Sequence, residues 1–483
     1  MSPFFGRKNN LKVCMILEGC YPYVRGGVST WVHQYIQKST DIEFVLWTIH
    51  AKSEDALNSL YELPPNITGH CKLILDEAYS GRGGGRRVRP GDYEAIAQAL
   101  RRILFEESGD WDGLIDILQR LKPSGQSIMK SRAFLELARE VSERNGRLGL
   151  SEAYYGLQSV LIPICHVLVS DIPQADLYHS AVTGFGGLLG ALAAHKTGKP
   201  FVLTEHGIYP REREEELITA DWTVPAMRSI WTSTFYEMSR CAYRSAEYVT
   251  SLFQEASARQ VSIGCNPDKC RVVPNGIDVQ RFQGIPIAEH ETEINIGAFV
   301  RFAQIKDLKT MIHAFYTLKQ RIDGVKLYIM GGTDDEGYRD ACLSLIRRLG
   351  LQDSVIVAGH VDAIEYMKKM DFTVLSSISE GQPLTILESM AAGRPCVATK
   401  VGNCAGLLEE PINETGSAGF CCTPMMPEEL ANSMEELCVD RALRREMGEN
   451  GQKRVLVRYT LDKMLNSYHE IYREALEHGR NRI

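Results

Sequence analysis

Short apolar runs alternate along the chain with longer stretches whose apolar positions recur at helical spacing. "KVCMILEG" (12–19) predicts a buried strand, and "GVSTWVHQYIQKS" (27–39) predicts the helix after it. "IEFVLWTI", "ADLYHSAV", "PFVLTEHG", "AEYVTSLF" and "CRVVPNG" continue the series of strands. Such β-then-α alternation implies parallel strands covered by helices.

The rhythm changes over residues 76–166, which are rich in Leu, Glu, Arg and Ala at helical spacing, as in "YEAIAQALRRILFEE" and "SRAFLELAREVSERN". This segment reads as a helical insertion in the first domain. A second alternating series follows "VVPNGIDVQRF", with strands "INIGAFV", "VKLYIMGG", "SVIVAGH", "DFTVLSS" and "PCVATKV". The polar stretch 283–293, which carries Pro286, marks the boundary. The expected division is 1–285, 286–460, and a last helix at 461–483 that packs back on the first domain. Two doubly wound α/β domains facing a cleft place the chemistry in the loops after the strands, since open parallel sheets bind ligands outside the carboxyl ends of their strands.

Composition removes several classes. A net charge of −7 gives no general attraction for nucleic acid. No apolar run approaches the ~20 residues of a membrane span, and no signal-peptide pattern opens the chain. The 13 cysteines are odd in number and form no C-x-x-C, so buried thiols in a reducing cytosol are expected rather than disulfides or structural zinc. The basic stretch "SGRGGGRRVRP" (80–90) reads as a solvated loop rather than an anion or membrane patch.

Four loops carry candidate chemistry. In "SISEGQPLTILESMAAGRP", Glu380 and Glu388 stand eight residues apart, one after a strand and one on the next helix. Gly381 allows close backbone approach and Pro383 suits a helix start. The free N–H groups at Leu384 and Thr385 make an anion site. A carboxylate is acceptor-only and matches a vicinal diol, so Glu388 suits a ribose and Glu380 a transferred sugar. The same two residues also fit a plainer account, with Glu380 capping the helix and Glu388 on the surface.

In "VRFAQIKDLKT", Arg301 and Lys306 lie five apart at another strand end, where two cations neutralise a diphosphate without a metal; alone, they also read as solvated charges. Gly26-Gly27 follows the first strand and opens its helix, bringing backbone N–H groups toward a phosphate or sugar. His206 ends a first-domain strand and suits a sugar or acceptor contact as well as a structural role. Two further motifs are set aside. "DWD" (110–112) opens a helix, which favours capping over metal binding. "TGFGGLLG" breaks the G-x-G-x-x-G pattern at Leu189 and reads as close helix–strand packing.

Together, Glu380/Glu388, Arg301 with Lys306, Gly26-Gly27, His206 in "TEHG" and "VPNGID" resemble the retaining GT-B glycosyltransferases of family 4. The opening "ILEGCYPYVRGGVSTWVHQYI" with the helical insertion resembles the PelF family, the cytosolic glycosyltransferases of Pel exopolysaccharide synthesis. The resemblance implies a UDP-sugar donor, UDP-glucose first, then UDP-N-acetylgalactosamine or UDP-N-acetylglucosamine. It implies a uracil site near Gly359 and His360, a polysaccharide acceptor, no required cofactor with Mg²⁺ at most modulatory, and inner-membrane export partners. The family's G-G-x-x-E element is "VGNCAG" here, so no catalytic role is assigned to Asn403 or Gly406. Two rivals on the same plan are a nucleotide-sugar epimerase and a non-catalytic sugar-nucleotide-binding subunit.

Overall fold

The computed structural model describes residues 11–56, 58–79, 88–106, 109–146, 148–219, 224–286, 293–410 and 415–480. The basic segment 80–87 lies outside them. The chain forms two compact units, Met1–Val273 with Ser467–Ile483, and Pro274–Asn466.

The first unit holds β1 (Leu11–Glu18), β2 (Ile42–His50), β3 (Ile67–Ile74), β4 (Leu177–Ser180), β5 (Phe201–Glu205), β6 (Tyr248–Ser251) and β7 (Cys270–Val272). They form one sheet in the order β3-β2-β1-β4-β5-β6-β7. Every pairing is parallel, with Leu11 opposite Ile42 and Glu18 opposite Ile49. Between β3 and β4 the helices Pro90–Phe105, Trp111–Leu121, Gly125–Met129, Arg132–Arg144 and Leu150–Leu168 pack on one another and join the first core, with Leu100, Trp111, Phe134 and Leu161 buried in it. Asp110 caps the second of them by accepting the Gly113 N–H at 2.9 Å, the capping role read from "DWD". The glycines of "TGFGGLLG" are packing residues too. A Cβ on Gly190 would fall 2.2 Å from the Phe201 ring, and one on Gly187 2.8 Å from Ala242 Cβ.

The second unit holds β8 (Ile294–Phe299), β9 (Val325–Met330), β10 (Val355–Gly359), β11 (Phe372–Leu375), β12 (Cys396–Thr399) and β13 (Gly419–Cys422). Their order, β10-β9-β8-β11-β12-β13, is again all parallel and reverses direction between β8 and β11. That reversal is the switch point where such sheets bind ligands.

The boundary differs from the expected 285/286. Residues 274–282 belong to the second unit because they are bonded and packed into it. Asn275 donates its N–H to Gln382 Oε1 at 2.6 Å, Ile277 pairs with Thr460, and Ile277 and Phe282 join the second core. The hydrophilic composition at 283–293 does not mark the crossover, which falls at Val273/Pro274. The helix Leu461–Arg480 divides as well, with Ser467 onward in the first unit. There Tyr472 Oη lies 2.6 Å from His179 Nδ1, and Tyr468 Oη lies 3.2 Å from Thr204 Oγ1. Among the described residues no helix is long and apolar enough to cross a membrane.

Candidate active site

In the second unit, the loops after β8, β11 and β12 are tied together by hydrogen bonds. Ile378 donates to the Ile305 carbonyl at 2.8 Å, Thr399 Oγ1 to the Ser377 carbonyl at 2.6 Å, and Asn403 N–H to the Gly381 carbonyl at 2.8 Å. Lys306 ends a 3₁₀ turn, Gln304–Lys306. Asp307 follows with φ +44°, a left-handed conformation costly for a non-glycine residue. Ser376 Oγ holds that turn through the Lys306 and Asp307 carbonyls. The result aims Lys306 at Glu380, with Nζ to Oε1 2.5 Å and both side chains mostly buried. Ser377 Oγ donates to the same carboxylate oxygen at 2.6 Å.

Glu380 therefore does not cap the following helix. Leu384–Ala391 begins after Pro383 with no side-chain cap, which leaves its first N–H groups available to an anion. Arg301 is held separately, Nη1 2.7 Å from Asp334 Oδ2 on the loop after β9. The two cations thus rest on different carboxylates. Glu388 lies one turn into the helix and is mostly buried; burial pushes its carboxyl up to about 7, against a smaller downward pull from Arg281. Neither part of the plainer account, capping by Glu380 or a surface position for Glu388, fits this geometry.

Gly359 ends β10 at φ +69° and accepts the Gly331 N–H at 2.8 Å, with His360 next to it. These two residues sit at a strand's carboxyl end, on the edge of the sheet.

In the first unit, Gly26 and Gly27 open the helix Gly27–Lys38, and a Cβ on either would meet nothing within 4 Å. Internal packing does not require these glycines. His206 follows β5 directly. Burial pushes its imidazole down to about 4, so the ring is neutral near pH 7. Nε2 is buried with no hydrogen-bond partner, and the ring lies edge-on to Trp31 at 4.9 Å. A neutral ring with an unsatisfied nitrogen suits a sugar hydroxyl. Preceding it, Glu205 is buried among Tyr243 Oη at 2.6 Å, Gln260 Nε2 at 2.9 Å and Thr183 Oγ1. Burial raises its carboxyl pKa.

Sequence reasoning missed several supports. Gly402 has φ +51°, and a Cβ there would strike the Glu380 carbonyl oxygen at 2.0 Å. Asp334, Gln382 and Arg281 were also missed, because each meets its partner only through folding. The signal for Gly402 was present in "VGNCAG", a glycine directly after a strand.

A parallel two-unit α/β plan with cations, carboxylates and an uncapped helix at the switch point fits the GT-B fold. Residues 285–454 match the family Glycosyl transferases group 1, and residues 11–268 match the Domain of unknown function (DUF3492). The second match covers more than half of the chain, which belongs to the DUF3492 family. The chain is similar to the MMP alpha-(1->4)-mannosyltransferase of Mycolicibacterium hassiacum, 26% identical over 59% of this chain and 68% of that one. It is also similar to the N-acetyl-alpha-D-glucosaminyl L-malate synthase of Bacillus anthracis, 28% identical over 37% of this chain and 45% of the relative. Among solved structures, Anabaena HepE in complex with UDP and glucose shares the fold at TM-score 0.58 and 16% identity, over 95% of this chain and 99% of that one. Sucrose-phosphate synthase from Thermosynechococcus elongatus does so at TM-score 0.61 and 16% identity, over 96% and 98%.

Proposed function

We propose that the chain transfers a hexosyl group, with retention, from a UDP-sugar onto a growing exopolysaccharide of the Pel type, as a PelF-like glycosyltransferase. UDP-glucose is the first candidate donor, then UDP-N-acetylgalactosamine or UDP-N-acetylglucosamine. The observation that carries the reading is the Lys306–Glu380 pair at 2.5 Å, set before a helix whose N-terminus no side chain caps.

In this mechanism the sugar–phosphate bond loosens toward an oxocarbenium-like centre. Lys306, Arg301 and the N–H groups of Leu384 and Thr385 stabilise the departing diphosphate, each well-placed donor being worth ~3 kcal/mol. Glu388 accepts the ribose hydroxyls. Glu380 takes hydroxyls of the transferred sugar while orienting Lys306, and Gly381 leaves room for them. Gly359 and His360 receive the uracil. On the first unit, Gly26, Gly27 and His206 serve the sugar and the acceptor. The acceptor hydroxyl attacks from the leaving-group face and passes its proton to a phosphate oxygen, so no carboxylate acts as covalent nucleophile. Mg²⁺ modulates the reaction at most.

A panel of nucleotide sugars, assayed for nucleotide release with and without oligosaccharide acceptor, tests the reading. Acceptor-dependent UDP release from one of the three donors is expected. Release from none of them sinks it, and interconversion of the sugar without transfer makes the chain an epimerase. The proposed setting is cytoplasmic, with recruitment to inner-membrane export partners through the helical insertion. If recruitment in cells survives deletion of exposed parts of that insertion, the docking surface lies elsewhere.

A further inference from the structure

The loop between β1 and its helix, "CYPYVRGG", brings an aromatic cluster to the carboxyl ends of β1 and β2. Tyr21 is buried, and its hydroxyl lies 3.3 Å from His33 Nδ1. Tyr61, partly exposed on the segment after β2, packs 5.1 Å from both the Tyr21 and His33 rings. Leu60 N–H donates to the Pro22 carbonyl at 2.9 Å, which ties that segment to the loop. On the other side of the loop, Tyr23 stands edge-on to His50 at 4.7 Å, with Lys72 Nζ 5.1 Å from its ring centre. Thr48 Oγ1 lies 2.9 Å from His50 Nε2 and 3.0 Å from His70 Nε2, fixing both imidazoles. Two partly exposed tyrosines are therefore held rigid by their neighbours, Tyr23 shortly ahead of the Gly26-Gly27 opening and Tyr61 on the segment after β2.

Nothing in the fold of this unit requires such rings at a strand-end loop. A core aromatic would be buried like Tyr21, whereas Tyr61 and Tyr23 stay partly exposed beside exposed Val24 and Leu60. We propose that Tyr61 and Tyr23 form the platform that holds the acceptor glycan, each ring stacking on the C–H face of a pyranose while the tyrosine hydroxyls and neighbouring imidazoles meet its hydroxyl edge. A pyranose is apolar on its faces and polar at its rim, and a tyrosine is apolar in its body and polar at its tip. The rings are already ordered, so binding does not need to immobilise them. A lipid surface or a protein partner fits less well. The exposed apolar side chains here are interleaved with tyrosine and histidine, and the cluster stands at the carboxyl ends of the strands, where parallel α/β sheets take small ligands. This inference names the acceptor side of the reaction proposed above and rests on it for the glycan's identity.

The test uses the full chain and tetrasaccharides of glucose, N-acetylglucosamine and N-acetylgalactosamine, titrated without any donor and followed by calorimetry. At least one should bind the wild type. Tyr61→Ala should weaken it roughly tenfold, about 1.4 kcal/mol, while Tyr61→Phe, which keeps the ring, should retain most of the affinity. UDP affinity should be the same in all three proteins, which also reports that the variants are folded. Tyr23→Ala provides a second site should Tyr61→Ala lose UDP binding. Binding by none of the tetrasaccharides, or binding that neither alanine variant weakens, overturns the platform. Failure of all three UDP-sugars as donors, with tetrasaccharide binding intact and sensitive to Tyr61, would instead remove the proposed reaction and leave a glycan-binding surface.

Discussion

Glu388→Gln separates the cost of a buried carboxylate from its use. In the folded chain the Glu388 carboxyl rises from 4.5 to about 7, chiefly through burial. Each pKa unit is 1.36 kcal/mol, so ionising this group in the folded protein costs about 3 kcal/mol more than in the unfolded chain. The sign follows from proton counting. Between pH 4.5 and 7 the folded state binds more protons than the unfolded one, so stability falls as pH rises through this window and levels off above it. Glutamine does not titrate. The variant should therefore gain about 2–3 kcal/mol on the wild type between pH 5 and pH 8, measured by urea unfolding at both values. Nucleotide binding should move the other way. Only the ionised carboxylate accepts both ribose hydroxyls, so wild-type UDP affinity should climb by up to about tenfold per pH unit toward pH 7 and then flatten. Comparing wild type with variant cancels the titration of the nucleotide's own phosphate. At pH 8 the variant should bind UDP more weakly by about 1.5–3 kcal/mol, the worth of a charged hydrogen bond. A stability gap that does not change between pH 5 and 8 refutes the burial argument. A pH-independent ratio of UDP affinities refutes the ribose role.

Four shorter predictions concern the neighbouring residues. Arg301→Ala and Lys306→Ala should each lower turnover by roughly 100-fold, on the scale of a lost oxyanion donor, and near-wild-type rates in both would dismiss the clamp. Glu380→Gln should reduce turnover while sparing UDP affinity by calorimetry; a loss of UDP affinity equal to that of Glu388→Gln would make the two carboxylates one structural unit. Activity should persist in EDTA, and a complete loss restored by added metal would show that the diphosphate needs an ion. Gly402→Ala puts a Cβ 2.0 Å from the Glu380 carbonyl in a left-handed conformation, so it should destabilise the protein by about 1–3 kcal/mol and depress turnover, both read against wild type; an unchanged melting profile would mean the loop yields.

What could be read from the sequence was what depends on local pattern. Apolar runs such as "INIGAFV" and "DFTVLSS" announce strands, and parallel strands with helical crossovers direct attention to their carboxyl ends. That reasoning reaches Arg301, Lys306 and Glu380 without coordinates, because each stands in a loop that follows a strand. It does not reach the partners. Asp334 meets Arg301 from 33 positions on, and Gly402 backs Glu380 from 22 positions on; strand order decides both. The crossover between units was misplaced for the same reason, since Asn275 and Ile277 look like ordinary turn residues until Gln382 and Thr460 are beside them. The pairing of Lys306 with Glu380 has the largest consequence. Read from spacing alone, the lysine serves a phosphate and the glutamate a sugar, independently. Bonded at 2.5 Å, they share one charge balance. An incoming diphosphate competes with Glu380 for the ammonium, and an incoming sugar hydroxyl competes with the ammonium for the carboxylate. A donor that brings both groups satisfies both partners at once, whereas free diphosphate or free sugar leaves one of them uncompensated. On the proposed roles, discrimination in favour of the intact nucleotide sugar would arise from an ion pair that only the whole donor can open without loss.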